Sequence, residues 1–459
     1  MAITGAWRCA RASIFSGPPF KDRISPLHHD MPFITTIAVG LGLAFVFALV
    51  AHRLRLPLLA GYLVAGIFIG PFTPGFVADQ DVASQLAEMG VILLMFGVGL
   101  HFSVRDLMAV RRIAIPGAIG QIVVATVAGL GLAWVMGWSI GAGLIFGICL
   151  SVASTVVLLR ALLDSGQERT EAGRIAIGWL IVEDLVMIFA LVLIPPLAGL
   201  LGGTVQAPDD GAAQIEQLGL GMVSTTLVLT LIKVAAFVAI MLIVGRKVIP
   251  AILHYAARTG ERELFRLSVL ALALGVAYLS ASVFGVSFAL GAFFAGMVMA
   301  GSTLSAQAMK DVLPLRDAFA VLFFVSVGMI FDPTVLWRSP LEVLAVFGII
   351  VGVKSAAAFG IVRLLGHGRA VALTIAASLA QIGEFSFIMV TMGVNLDIMP
   401  AEARDLVVAG AILSILVNPA LFRLIGLAMQ RHAFGPVDPN AAPNKAPAKT
   451  VDKPVEKDA

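Results

Sequence analysis

IAIGWLIVEDLVMIFALVLIPPLA, residues 175–198, is long enough to cross a membrane, and its only charged residues are the adjacent Glu183 and Asp184. A spanning helix needs about 20 apolar residues, and an ionised Asp at its centre costs roughly 2.5–3.5 kcal/mol on insertion scales. Acids retained at that cost point to ion or proton handling inside the bilayer. Neighbouring helix positions point about 100° apart, so one carboxylate is expected to face a central cavity and the other a neighbouring helix. Two acids this close repel when both are ionised, which makes the pair a natural place for proton exchange. The competing reading is a pair merely neutralised by basic partners.

The rest of the chain has the same character. Of 459 residues, 59% are hydrophobic and 13% charged, against about 25% charged in soluble domains, and mean hydropathy is +0.99. This is the composition of an all-α polytopic membrane protein. Its 46 glycines and 17 methionines suit closely packed membrane helices. A net charge of +3 argues against a nucleic-acid partner. Cys9 and Cys149 form no secreted-type disulfide framework, and Cys149 reads as a packing residue. Residues 1–30 lack a signal-peptide core and read as a tail, or as sequence ahead of a later start at Met31.

A window of about 20 residues finds about thirteen spans: 32–52, 57–71, 83–101, 113–136, 140–163, 172–199, 219–245, 263–283, 285–301, 316–331, 341–365, 369–394 and 404–429. Arg53, Arg55, Arg105, Arg111, Arg112, Arg169, Arg174, Arg246, Lys247, Arg258, Arg262, Lys310 and Arg369 fall in the odd-to-even loops. Asp79, Asp81, Asp209, Asp210, Glu216, Asp332, Asp397 and Glu402 fall in the others, with Arg338 and Arg404 as exceptions. By the positive-inside rule the N-terminus is outside and the C-terminus cytoplasmic. With span 7 as a linker, spans 1–6 match spans 8–13 at an offset of about 230 residues, the inverted-repeat layout of many secondary transporters. Residues 31–430 form the transmembrane domain. Residues 431–459, rich in Pro, Ala and charge, are expected to be a disordered cytoplasmic tail.

Lys354 stands alone near the middle of an apolar span, where it cannot snorkel. A buried ammonium needs an anion, and Glu183 or Asp184 is the obvious one; a static salt bridge between helices is the competing reading. ICLSVASTVVLLR (148–160) and SLAQIGEFSFIMV (378–390) occupy equivalent spans of the two repeats. They place Ser151, Ser154 and Thr155 opposite Gln381, Gly383, Glu384 and Ser386, and read as helix breaks whose freed carbonyls and half-helix ends can coordinate a cation. Glu384 is a third deep acid, open between gating partner and ion ligand. Lys233 and His101 read as structural. The chain has no P-loop, metal-spaced Cys/His cluster or nucleophile elbow, hence no enzyme reading, metal or cofactor.

GVILLMFGVGLHFSVRDL (90–107), with STVVLLRAL, IGWLIVEDLVMI, VSFALGAFFAGMVMA, LPLRDAFAVLFFVSVGM and LAQIGEFSFI, resembles the Kef-type, YbaL-like branch of the monovalent cation:proton antiporter-2 family. The resemblance runs from Phe33 to Met429. It implies a sodium/proton-exchanger fold with a dimerisation domain, hence a homodimer, and a core built on two crossing, discontinuous helices. By position Asp184 resembles the family's ion- and proton-binding aspartate and Glu183 the preceding site, which is Gln in typical Kef proteins. Lys354 resembles the basic residue paired with that preceding site, while Ser154, Thr155, Gln381 and Glu384 fall on the crossing-helix motifs. Relatives usually carry a cytoplasmic nucleotide-binding domain where this chain has a short tail, so a separate cytoplasmic regulatory subunit is an expected partner. The expected activity is exchange of K+, ahead of Na+, for protons across a bacterial inner membrane. A gated potassium efflux channel and an organic-anion symporter on the same fold are the alternatives.

Overall fold

The computed structural model describes residues 32–101, 104–204 and 222–433. The expected tail 1–30, most of the tail 431–459 and the acidic loop of Asp209, Asp210 and Glu216 lie outside them, as does the Arg105 side chain. Among the described residues every regular element is helical, and each expected span has a counterpart.

The first half contains α1 (Pro32–Arg53), α2 (Leu58–Ile69), α3 (Gln80–His101), α4 (Val104–Val135), the pair α5 (Ile140–Ser151) and α6 (Thr155–Asp164), and α7 (Glu171–Leu197). The linker is α8 (Met222–Ile240), a π-helical stretch Met241–Gly245, and α9 (Arg246–Arg258). The second half follows in the same order. It runs α10 (Arg262–Phe284), α11 (Phe288–Ala300), α12 (Ser305–Ile330), then, after the short α13 (Val335–Arg338), α14 (Pro340–Phe347), a π-helical stretch Gly348–Val353 and α15 (Lys354–Leu364). It closes with the pair α16 (Arg369–Ser378) and α17 (Glu384–Asn395), and α18 (Ala401–Ala433). In each half the second span is short and the fifth is broken, as inverted repeats demand.

Helix ends depart from the hydropathy limits where charge precedes apolar sequence. The helix expected from 113 begins at Val104 and carries Arg111 and Arg112, and the one expected from 316 begins at Ser305 and carries Lys310. The linker continues past 245 to Arg258, so Arg246 and Lys247 lie on a helix and not in a loop. A hydropathy window marks where hydrocarbon begins, whereas backbone hydrogen bonding carries the helix beyond it. The exceptional Arg338 lies 3.6 Å from Asp332, so its charge is answered locally.

The spans sort into two bundles. Helices α1–α3 pack with α10–α12, and α4–α7 pack with α14–α18, while the bundles meet at few places, such as α2 with α18 and α7 with α11. Small residues set the closest approach: a Cβ on Gly99 would collide with the Phe293 carbonyl of α11, and one on Gly296 with the Phe96 carbonyl of α3. Without a strong hydrophobic drive between helices in lipid, such backbone contact is a main source of packing.

Candidate functional site

The two broken spans cross at their breaks. The residues between α5 and α6, Val152, Ala153 and Ser154, meet those between α16 and α17, and all are buried. Breaking a helix in hydrocarbon strands backbone groups that require partners, and each chain supplies the other's. Ser154 N–H donates to Gln381 Oε1 (2.9 Å), Gln381 Nε2 donates to the Ser154 carbonyl (3.0 Å), and Gly383 N–H donates to the Val152 carbonyl (3.1 Å). Ser386 Oγ donates to the Cys149 carbonyl at 2.6 Å. Gly383 is glycine for a steric reason: a Cβ there would lie 2.6 Å from the Ala153 carbonyl oxygen.

Two buried charges complete this cross. Glu183 Oε2 accepts from Ala153 N–H at 2.8 Å, and Lys354 Nζ donates to the Gln381 carbonyl at 2.9 Å. The anion therefore sits where α6 begins and the cation beyond the end of α16, each opposing the local helix dipole. Lys354 is the cation whose field acts on Glu183, although among the described residues no ion pair within 4.0 Å joins it to Glu183 or Asp184. Glu183 and Lys354 are each held instead by a backbone group of the crossing. Lys354 follows directly on the π-helical stretch, an irregularity that recurs at functional sites.

Asp184 points elsewhere, as the 100° offset requires. Its Oδ2 accepts from Thr155 Oγ1 at 3.2 Å, and its Oδ1 has no hydrogen-bond partner. It lines a cavity of about 750 Å³ between the two bundles, together with Thr155 and Glu384, but neither Glu183 nor Lys354 reaches it. Tyr62, Val98, His101 and Arg316 come from the first bundle, and Arg160 and Asp164 from the C-terminal half of α6. Ser151 Oγ donates to the Ile148 carbonyl, while Ser154 caps α6 by accepting from Val157 N–H and its hydroxyl also bonds Glu384. His101 is exposed near the cavity mouth with Nδ1 2.8 Å from the Gly97 carbonyl. Lys233 lies part-buried on α8, away from these groups.

Gln121, its partner Trp179, and Arg316 escape the sequence reading. Gln121 of α4 is fully buried, donates to the Ser151 carbonyl (2.7 Å) and accepts from Trp179 Nε1 (2.9 Å), so it ties α5 and α7 behind Glu183. A lone Gln in an apolar span was the available signal. Arg316 lines the cavity with its guanidinium 2.8 Å from Asp317. Among the described residues no group of three or more His, Cys, Asp or Glu side chains gathers for a metal.

The transmembrane sodium/hydrogen exchanger family profile matches residues 41–427. The chain belongs to the sodium/hydrogen exchanger family. Within this exchanger family it is 58% identical over 399 residues to YbaL of Escherichia coli (strain K12), covering 87% of this chain and 69% of YbaL, which places it in the YbaL-like branch. It is also 62% identical over 279 residues to an uncharacterised protein encoded in the phaC 3' region of Methylorubrum extorquens, covering 61% of this chain and all of that one. Its fold is similar to that of the sodium proton antiporter MjNhaP1 from Methanocaldococcus jannaschii, with a TM-score of 0.64 at 16% identity over 86% of this chain and 98% of the other. The exchanger fold and the crossing of discontinuous helices expected from the sequence are thus present in the chain.

Proposed function

We propose that the chain is a secondary antiporter that exchanges a monovalent cation, K+ ahead of Na+, for protons by alternating access, with Asp184 as the carboxylate that both substrates share. One observation carries this reading: of the adjacent acids only Asp184 lines the cavity between the bundles. Asp184 releases its proton on one side and takes the cation, the bundle of α4–α7 and α14–α18 shifts against the other, and the cation leaves as a proton returns. Competition for one carboxylate couples the fluxes. Glu183 and Lys354 hold the crossing and set its charge through each state.

The name of YbaL as a cation/proton antiporter supports the substrates, and the Kef-like segments favour K+. The distribution of Lys and Arg supports an inner-membrane protein with its N-terminus outside. The cavity mouth at the α6 end, by the same rule, faces the cytoplasm. A homodimer through the α1–α3 and α10–α12 bundle and a separate cytoplasmic regulatory subunit belong to the same reading.

The test is proton movement in proteoliposomes on adding K+, Na+ or Li+. Wild-type protein is expected to dissipate a pH gradient in a cation-dependent way, and Asp184→Asn to show no such movement while remaining monodisperse. Normal exchange by Asp184→Asn overturns the mechanism. Potassium flux without obligatory proton exchange, far above transporter turnover, points to a channel instead.

A further inference from the structure

Asp184 shares its cavity with a second acid. Glu384, the first residue of α17, is 3% exposed and Asp184 is 5% exposed, yet both line the space between the bundles. Each retains one oxygen without a hydrogen bond, Oδ1 of Asp184 and Oε2 of Glu384. Glu183, whose Oε2 is bound to the Ala153 N–H, stays outside the cavity, whereas Glu384 lines it beside Asp184. Two ionised carboxylates in a low-dielectric setting repel unless one takes a proton or a cation lies between them, and hard monovalent cations prefer such oxygen donors.

We propose that Glu384 is a second carboxylate ligand of the transported cation, which lies between Asp184 on α7 and Glu384 on α17. The proposal rests on the antiporter reading and adds a determinant of selectivity to it. One monovalent cation between two carboxylates leaves a surplus negative charge. Arg316 of α12 lines the same cavity, with its guanidinium bonded to Asp317, and is the basic residue whose field reaches Glu384. The other ionisable groups around the cavity are Asp317 beside Arg316, His101 on α3, Tyr62 on α2, and Arg160 and Asp164 on α6. Because the two carboxylates come from different spans, the gap between them sets the size of ion held best.

The experiment compares wild type, Glu384→Gln and Glu384→Asp in proteoliposomes with Na+ and K+ at fixed pH, and reads cation-induced thermal stabilisation of the detergent-solubilised proteins. Glu384→Gln is expected to raise the half-saturating cation concentration roughly tenfold or more and to lose the stabilisation. Glu384→Asp, shorter by one methylene, widens the gap, retains exchange and raises the preference for K+ over Na+ further. Unchanged half-saturation and stabilisation in Glu384→Gln overturn the proposal. If that variant does not fold, Glu384→Asp decides: an unaltered Na+/K+ ratio and half-saturation overturn it equally. Should wild type exchange no cation, the antiporter reading falls, and the stabilisation measurement still reports whether Glu384 binds Na+ or K+.

Discussion

Lys354 carries a charge that hydrocarbon does not solvate, and its hydrogen-bond acceptor among the described residues is the Gln381 carbonyl. The ammonium thereby holds the end of one broken span and supplies the positive field under which Glu183 remains buried. Removing one partner of a buried charge pair typically costs about 3–5 kcal/mol, because the remaining charge is left uncompensated. Lys354→Gln, which keeps a donor but no charge, is expected to lower the melting temperature of the purified protein by several degrees while cation-dependent proton movement survives. A variant as inactive as Asp184→Asn at every pH would show Lys354 to be part of the transport step and not a brace. At this scale the sequence was legible wherever charge interrupts hydrocarbon, as at Glu183, Asp184, Lys354 and Glu384. It was opaque at Arg316, which lies at the apolar margin of its span and so reads as flanking charge, although its helix starts well before it.

At the scale of elements, the crossing stands on reciprocal bonds between two breaks 227 residues apart in sequence. Gln381 supplies both an acceptor and a donor to Ser154, so Gln381→Leu leaves a backbone N–H and C=O without partners at about 1–3 kcal/mol each. Gly383→Ala acts by sterics: its Cβ would sit 2.6 Å from the Ala153 carbonyl oxygen, and overpacking of this kind costs about 1–3 kcal/mol. Both variants are expected to lower thermal stability and exchange together. Gly275→Ala on α10, where an added Cβ meets nothing within 4 Å, is the control and should change neither. If Gly383→Ala matches that control in thermal unfolding, the close contact of the breaks is not required. The breaks themselves were readable, because polar residues interrupt the apolar run in spans that occupy equivalent places in the two repeats, Ser151, Ser154 and Thr155 in one and Gln381, Gly383, Glu384 and Ser386 in the other. Their mutual hydrogen bonding was not, since no local pattern pairs residues that distant, and the π-helical turn before Lys354 leaves no mark beyond its glycines.

For the whole molecule, the decisive feature is the division into two bundles with the cavity at their seam. Span count and repeat order follow from hydropathy and spacing, but which spans pack together depends on contacts such as Gly99 against Gly296, which hydropathy does not encode. A carrier of this plan exposes its midplane site to each side in turn as one bundle moves against the other. Ile181 lies one turn before Asp184 and Leu185 on α7 and lines the cavity, so a thiol there reports access to the site without touching the carboxylate. With Cys9 replaced and Cys149 fully buried, Ile181→Cys is expected to react with a membrane-impermeant thiol reagent from either face of sealed vesicles. In the proposed cycle only a loaded carboxylate permits the bundle to cross, so added cation and a change of pH should each shift the balance between the two faces. Labelling from one face alone under every ionic condition contradicts the two-bundle cycle. Simultaneous labelling from both faces, unaffected by cation or pH, describes a continuous pore and favours the channel reading.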